Sequence, residues 1–192
     1  NAGTIGRWTA ILSNDIPLTR HDRSVEPLLT TKWNQNNPWN ILCPEDPEGP
    51  GGYVYAGCVA VAMAQVMRYW SYPEQGAGYH SYEDDNYGFL EADFGATTYN
   101  WGDMPHFAST HSIAELLFQL GVSVEMMYGN DSSGAYPEDV RDPLVNHFGY
   151  DSGAELVLRS NYTSGQWISL LKEQLDAGYP MFYVGYPSFA LS

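Results

Sequence analysis

Cys58 is the residue of this chain whose type and position could do chemistry most directly. It stands near the front of an apolar run, residues 55–70 (Y-A-G-C-V-A-V-A-M-A-Q-V-M-R-Y-W), and follows a glycine-rich loop. A thiol in the first turn of a helix lies beside unpaired main-chain N–H groups and the positive end of the helix dipole, which favour the thiolate. The pattern therefore predicts a nucleophilic cysteine of the kind that a cysteine hydrolase uses.

A purely structural role for Cys58 is the competing interpretation. Free cysteines are among the most buried residue types and often act as small apolar side chains. A disulfide with Cys43, the other cysteine of the chain, is also open from the sequence, but it would consume the proposed nucleophile. We interpret both cysteines as free thiols.

The apolar run predicts the helix that must position Cys58, over residues 57–70. This segment shows no polar face before Gln65 and Arg68, which is typical of a helix inside a core. Pro73 requires the helix to end. The preceding residues 43–52 (C-P-E-D-P-E-G-P-G-G) predict a loop, and residues 72–100 predict loops with one or two short strands.

Downstream, a capping-box pattern at residues 112–115 (S-I-A-E) predicts a helix that Gly121 ends, followed by a strand at residues 122–124. Residues 137–149 predict another helix, with Val140, Leu144, Val145 and Phe148 on one face. The helix should open at its proline and bend or split at Pro143.

The C-terminal part of the sequence predicts one more helix and one strand. The helix begins after Thr163 or Ser164 and ends at Gly178. Residues 179–185 (Y-P-M-F-Y-V-G) are apolar on both faces, which favours a strand buried within a sheet. The helix is expected to bury Trp167, Ile168, Leu171 and Leu175.

Composition narrows the class of protein. The chain has 192 residues, of which 44% are hydrophobic and 16% charged, so it is globular and large enough for a real core. Its 15 Tyr, 7 Phe and 6 Trp suggest a groove that holds apolar side chains. A formal charge of −15 argues against nucleic acid or an anionic membrane as a partner. No apolar run reaches the roughly 20 residues that span a bilayer.

Two segments resemble elements of the streptopain family of bacterial cysteine peptidases. Residues 32–40 (K-W-N-Q-N-N-P-W-N) are similar to the family's W-N-Q-x-x-P-x-N element, and residues 57–73 are similar to its G-C-V-A…A-Q-x-M-x-Y…Y-P helix. Looser similarity continues through residues 99–101, 122–129, 148–150 and 178–185. The order and spacing hold from about residue 25 onward, and members from oral or gut Bacteroidetes are the most similar.

The resemblance implies a fold and a set of site residues. The fold would be α+β and papain-like: a helical lobe that bears the nucleophile, plus the start of an antiparallel β-sheet or barrel lobe. Cys58 would be the nucleophile, and Gln35 would donate its side-chain amide to the oxyanion, together with the main-chain N–H of Cys58. Ser133 and Gly134, in the loop of residues 128–136, would line the pocket for the substrate residue two before the cut.

One family element has no counterpart in this chain. The catalytic histidine of the family lies in a G-H-A-x-V element beyond the position of Ser192, and an Asn-Trp pair that orients it lies further on. The chain's five histidines fall outside that motif, and His106 and His111, with Asp103 nearby, match no zinc signature. The C-terminal part is therefore expected as a separate chain or an omitted segment, or else it has been lost.

These expectations combine into one leading function. The chain would belong to a secreted bacterial cysteine endopeptidase acting on proteins and peptides, with no metal and no organic cofactor. Residues 1–24 would be an N-terminal arm or the remnant of an inhibitory pro-segment, and residues 25–192 the peptidase domain. Two alternatives stay open: an aromatic-rich adhesion or binding module, and a papain-fold acyltransferase.

Overall fold

The computed structural model of the chain describes residues 26–185. It contains two compact units, residues 29–156 with 181–185, and residues 157–180 with 26–28. The predicted arm, residues 1–24, lies outside the described residues, so its role stays a prediction. No helix of the described part is both long enough and apolar enough to cross a bilayer.

Helix α1, Cys58–Trp70, is the central element of the larger unit. It begins and ends within one residue of the predicted helix, and Ser71, in the left-handed conformation, follows its last residue. One side of α1 carries small and flexible apolar side chains that are completely or almost completely buried, while Gln65, Val66 and Arg68 are partly exposed. The buried set is Val59, Ala60, Val61, Met63, Ala64 and Met67.

A β-hairpin follows α1. Strand β1, Tyr79–Asp84, pairs in antiparallel register with β2, Gly88–Asp93, so that Tyr79 lies opposite Asp93 and Asp84 opposite Gly88. This agrees with the prediction of one or two short strands in residues 72–100. Both strands pack against the next helix, and Tyr82 and Leu90 lie partly buried against the core.

Helix α2, His111–Ser123, differs from the prediction at both ends. The N-cap is Thr110, whose side-chain oxygen accepts the N–H of Ile113, whereas the Ser112 hydroxyl donates to Asp103. Gly121 does not end the helix, and residues 122–124 form no strand. The buried Tyr128 occupies the space beside Gly121, where a Cβ would lie 2.2 Å from its hydroxyl oxygen. The glycine thus serves close packing inside the helix.

The predicted helix over residues 137–149 is split. Pro137–Asp139 forms a 3-10 turn and Arg141–Asn146 forms the short helix α3. Pro143 lies in the first turn of α3, where a missing N–H costs no intrahelical hydrogen bond. The expected apolar face is partly realised, because Val140 and Phe148 are buried while Leu144 and Val145 are partly exposed.

The smaller unit contains helix α4, Ser164–Asp176. Its N-cap is Thr163, which forms a complete capping box with Gln166, so the predicted start is confirmed. The predicted buried face is shifted: Trp167 and Leu170 are buried, but Ile168 is 51% exposed. Leu171 and Leu175 are partly exposed.

The strand predicted at residues 179–185 is wrong. These residues adopt no regular secondary structure, and Tyr183 is 58% exposed. Apolar side chains on both faces are compatible with a buried strand, but a strand also needs a partner for its main-chain groups. Phe182 instead packs, partly buried, against the core of the larger unit.

Helices α1 and α2 pack against each other, and the hairpin packs on α2. The core between them is rich in Met, Leu and Phe. Its largest fully buried side chains are Phe94, Phe148, Met63, Met67, Met104, Ile113, Leu116, Leu117, Leu120 and Met126. This core packs against the buried side of α1, whereas Cys58, at the N-terminus of the helix, lies exposed.

Candidate active site

Cys58 is the first residue of α1, and its side chain is exposed. The N-cap residue, Gly57, offers no side chain to cap the helix, and the first turn carries no acidic residue. Helix N–H groups without a capping partner attract negative charge. The Cys58 thiol therefore lies at a solvent-facing position beside the main-chain N–H groups of the first helical turn, and its role as the nucleophile stays a prediction.

Gly57 has a conformation that only glycine adopts readily, with φ +87° and ψ 138°. A Cβ at this position would lie 2.5 Å from the sulfur of Met126 and 3.5 Å from the main-chain oxygen of Ser133. The glycine thus lets the main chain before the thiol pass close to residues 126 and 133. This contact brings the loop of residues 128–136 to the front of α1.

The main chain of Gln35 is hydrogen-bonded to the segment that leads into α1. Its carbonyl oxygen accepts the N–H of Ala56 at 2.8 Å, two residues before Cys58. Its own N–H donates to the side chain of Asn34 at 2.7 Å, and its side chain is partly exposed. Trp33 anchors the segment, because it is buried and its indole N–H donates to the carbonyl of Pro105 at 2.8 Å. The structure thus joins the two predicted catalytic segments.

The loop of residues 128–136 is held by hydrogen bonds at its base. Met127 and Gly134 form an antiparallel bridge, with N···O distances of 2.8 and 3.1 Å. The N–H of Gly129 donates to the Ser133 hydroxyl at 3.1 Å, and the carbonyl of Gly129 accepts the N–H of Tyr55 at 3.3 Å. The last bond attaches the loop to the chain that leads into α1.

The two predicted substrate-binding residues differ in what they can offer. Ser133 is buried, and its hydroxyl is hydrogen-bonded to the main chain of Gly129. The group of Ser133 that lies near Gly57 is therefore its main-chain carbonyl. Gly134 is partly exposed, and a Cβ there would meet no atom within 4 Å. Open space beside Gly134 suits a binding surface, and both assignments stay predictions.

Cys43 contrasts with Cys58. Both are free thiols, as predicted, but Cys43 is only 4% exposed. Burial raises the pKa of the Cys43 thiol to about 12, an effect that the neighbouring Tyr128 hydroxyl partly offsets. A thiol in such surroundings stays protonated at neutral pH and is a poor nucleophile. Of the two cysteines, Cys58 is the one whose surroundings suit catalysis.

Sequence reasoning missed three residues that shape this site. Met126 fills the space beside Gly57, Tyr82 donates its hydroxyl to the carbonyl of Met126 at 2.6 Å, and the Asp84 carboxylate accepts the N–H of Tyr128 at 3.0 Å. A glycine directly before the thiol was the one available signal for a close approach. The run Glu83-Asp84-Asp85-Asn86 reads as an exposed turn and gave no hint of a buried carboxylate.

The described histidines make their contacts away from Cys58. His80 pairs with Glu125 at 3.1 Å, the Nδ1 atom of His147 lies 2.9 Å from the carbonyl oxygen of Ala77, and His106 bonds to Thr30. His111 begins α2, and His21 lies outside the described residues. Among residues 26–185, no group of three or more His, Cys, Asp or Glu side chains is arranged to hold a metal ion.

Comparison with known proteins places these features in a family. The sequence model of the peptidase C10 family matches residues 33–190. Streptopain from Streptococcus pyogenes is 31% identical in an alignment that covers 84% of this chain. The thiol protease/hemagglutinin PrtT of Porphyromonas gingivalis is 30% identical in an alignment that covers 85% of this chain.

Solved structures give the same result. The active interpain A cysteine protease of Prevotella intermedia matches with a TM-score of 0.74 and 38% identity, over 81% of this chain and 67% of that one. A fragment of prointerpain A matches with the same TM-score and 34% identity, over 90% of this chain and 60% of that one. The chain spans 46% of the length of the streptopain it matches and 19% of PrtT.

Proposed function

The chain belongs to the peptidase C10 family, and from that premise we propose that it is the nucleophile-bearing part of a cysteine endopeptidase. The resemblance to the streptopains and the α+β, papain-like fold are confirmed, and membership of the family supports a cysteine peptidase as the class of enzyme. The observation that carries the proposal is an exposed thiol at an uncapped helix N-terminus, with the Gln35 segment bonded two residues before it.

The proposed reaction uses Cys58 as its nucleophile. The thiolate sulfur attacks the carbonyl carbon of a peptide bond, and the carbonyl oxygen becomes an oxyanion. The side-chain amide of Gln35 and the main-chain N–H of Cys58 donate hydrogen bonds to that oxyanion. The C–N bond then breaks, the amine leaves with a proton from a histidine, and water hydrolyses the remaining thioester.

That histidine is proposed to come from polypeptide other than residues 26–185. The contacts of His80, His106 and His147 direct these side chains to other partners. The family resemblance supports a base in the G-H-A-x-V element, which would follow the region matched here. It would be delivered within one polypeptide or by a separate chain that completes the enzyme.

Substrates and context follow from the same proposal. Peptides and proteins would bind over the open surface beside Gly134, next to the Ser133 carbonyl oxygen that lies close to Gly57. The name of the prointerpain A fragment supports a pro-segment that inhibits the enzyme before processing, and residues 1–24 are the candidate remnant. Streptopain, PrtT and interpain A all come from bacteria, which supports a bacterial enzyme, and we propose from the family resemblance that it is secreted.

Selective alkylation tests the nucleophile. In the active protein, iodoacetamide and E-64 should label Cys58 and abolish hydrolysis, and Cys58→Ala should be inactive while keeping its melting temperature within a few degrees. Cys43→Ala is the matched control and should retain hydrolysis and inhibition by E-64. Full activity in the Cys58→Ala protein would refute the assignment. Product analysis separates hydrolysis from transfer to an added amine.

A further inference from the structure

Asp84, the last residue of β1, carries a carboxylate outside the proposed catalytic groups and is buried, with only 6% of the residue exposed. Its Oδ1 atom accepts the N–H groups of Asn86 and Tyr87 at 2.9 and 3.0 Å, and its Oδ2 atom accepts the N–H of Tyr128 at 3.0 Å. A buried carboxylate is tolerated only when its oxygens are hydrogen-bonded. Three main-chain donors meet that need.

The two hydrogen bonds that Asp84 accepts from the N–H groups of Asn86 and Tyr87 can form without burial of the carboxylate. Asp93 accepts the N–H of the residue three positions on, and Asp151 that of the residue two positions on, and both are exposed. Asp84 makes both kinds of local bond and adds a third to Tyr128, 44 positions away. This long-range hydrogen bond to the N–H of Tyr128 distinguishes Asp84 from Asp93 and Asp151.

Strand β1 holds the segment before the loop of residues 128–136 at two successive points. Tyr82 bonds to the carbonyl of Met126, and Asp84 bonds to the N–H of Tyr128. Between these points, Met127 pairs with Gly134 and closes the base of the loop. The same segment presents the Met126 sulfur to Gly57, directly before Cys58.

We propose that Asp84 is a positioning residue that fixes the loop of residues 128–136 against the N-terminus of α1 and so determines how well a peptide binds beside Cys58. The inference rests on the proposed function and adds a residue to it. Asp84 does not touch the reacting atoms and acts through the Tyr128 N–H. Its loss is therefore expected to weaken peptide binding more than it lowers the reactivity of the thiol.

The test is Asp84→Asn in the active protein. Asparagine has nearly the same shape, but its NH₂ group must face at least one main-chain N–H, so a hydrogen bond is lost and two donors meet. KM for a peptide substrate should rise about tenfold, with kcat changed by less than about twofold. The rate of Cys58 alkylation by iodoacetamide should also change by less than about twofold, because this small reagent needs no contact with the loop.

Two further variants make the result decisive. Asp93→Asn, at the other end of the same hairpin, is the matched control and should leave KM unchanged. Tyr82→Phe removes the second bond from β1 to the loop segment and should raise KM in the same direction, even if Asp84→Asn fails to fold. An unchanged KM in Tyr82→Phe and in a folded Asp84→Asn protein would overturn the proposal.

The two proposals fail in different ways. If the protein without substitutions stays fully active after Cys58 has been alkylated, the proposed function is wrong. If activity depends on Cys58 but kcat and the alkylation rate fall in the Asp84→Asn protein as steeply as KM rises, Asp84 supports the fold in general and the positioning role is wrong.

Discussion

Cys58 and Cys43 carry the same functional group in opposite surroundings. Cys58 is exposed at the start of α1, whereas Cys43 is buried, which raises its pKa to about 12. Near neutral pH the Cys43 thiol is almost entirely protonated and shielded from reagents. Labelling of the folded protein by a thiol reagent therefore reports on one site, and hydrolysis can be followed against the fraction of Cys58 modified.

Gln35 is the second residue whose chemistry can be isolated by one substitution. Gln35→Ala in the active protein should lower kcat by roughly 10²-fold and change KM little, because the oxyanion forms only after substrate has bound. Steady-state kinetics with a peptide substrate measure both constants. Asn36→Ala is the control, since the family element leaves that position variable. An effect confined to KM would assign Gln35 to substrate binding instead.

At the scale of elements, local signals predicted α1 well and long-range packing explains the errors elsewhere. The apolar run and the terminating Pro73 are properties of consecutive residues, and they fixed the helix to within one residue. Gly121 looked like a helix end because the sequence does not show Tyr128 packed against it. The strand predicted at residues 179–185 failed for a related reason, since pairing depends on a partner that a local pattern cannot supply.

The candidate site likewise contains residues that local motifs predict and a residue that only long-range packing reveals. Cys58 and Gln35, the proposed nucleophile and oxyanion donor, could be predicted from motifs, because the proposed chemistry requires those residue types at those positions. Asp84 could not, because its importance comes from burial and from one bond to Tyr128, which is distant in sequence. A one-residue shift in the register of the hairpin would turn Asp84 away from the loop. Residues that act through the main chain of another segment leave little trace in the sequence.

Gly57, directly before α1, has a main-chain conformation that a substitution can test. Gly57→Ala places a side chain where φ is +87° and where the Met126 sulfur lies 2.5 Å from the added Cβ. The strain should cost about 1–3 kcal/mol of unfolding free energy and lower activity, since the main chain before Cys58 must shift. Urea unfolding and peptide hydrolysis measure the two effects.

Gly52→Ala is the matched control for that substitution. Gly52 has a similar φ of +89°, but a Cβ there would meet no atom within 4 Å. It should lose stability through the same backbone strain and keep its activity per folded molecule. Equal losses of activity in the two variants would show that the geometry at Gly57 has no special role in the site.

At the scale of the whole molecule, the chain combines a strongly acidic surface with aromatic groups buried in its interior. Acidic residues outnumber basic ones by 23 to 8, so self-repulsion is already present at neutral pH. Inside, burial raises the pKa values of Tyr82, Tyr99, Tyr128 and Tyr150. These hydroxyls and the Cys43 thiol are held neutral, so the fold resists their ionisation.

This arrangement predicts that stability falls in alkali. Each of these groups has a folded-state pKa above its unfolded value, 9.0 for the thiol and 10.0 for the phenols, so its stabilising effect is complete below the unfolded value and is lost as pH rises. The unfolding free energy from urea titrations should therefore decline from about pH 9 upward, and the part of the tyrosinate absorbance that comes from these four tyrosines should appear only as the protein unfolds. Cys43→Ala should remove the earliest part of the decline, because its thiol ionises first in the unfolded chain. Equal unfolding free energies at about pH 8 and about pH 11 would show that these groups ionise without resistance from the fold.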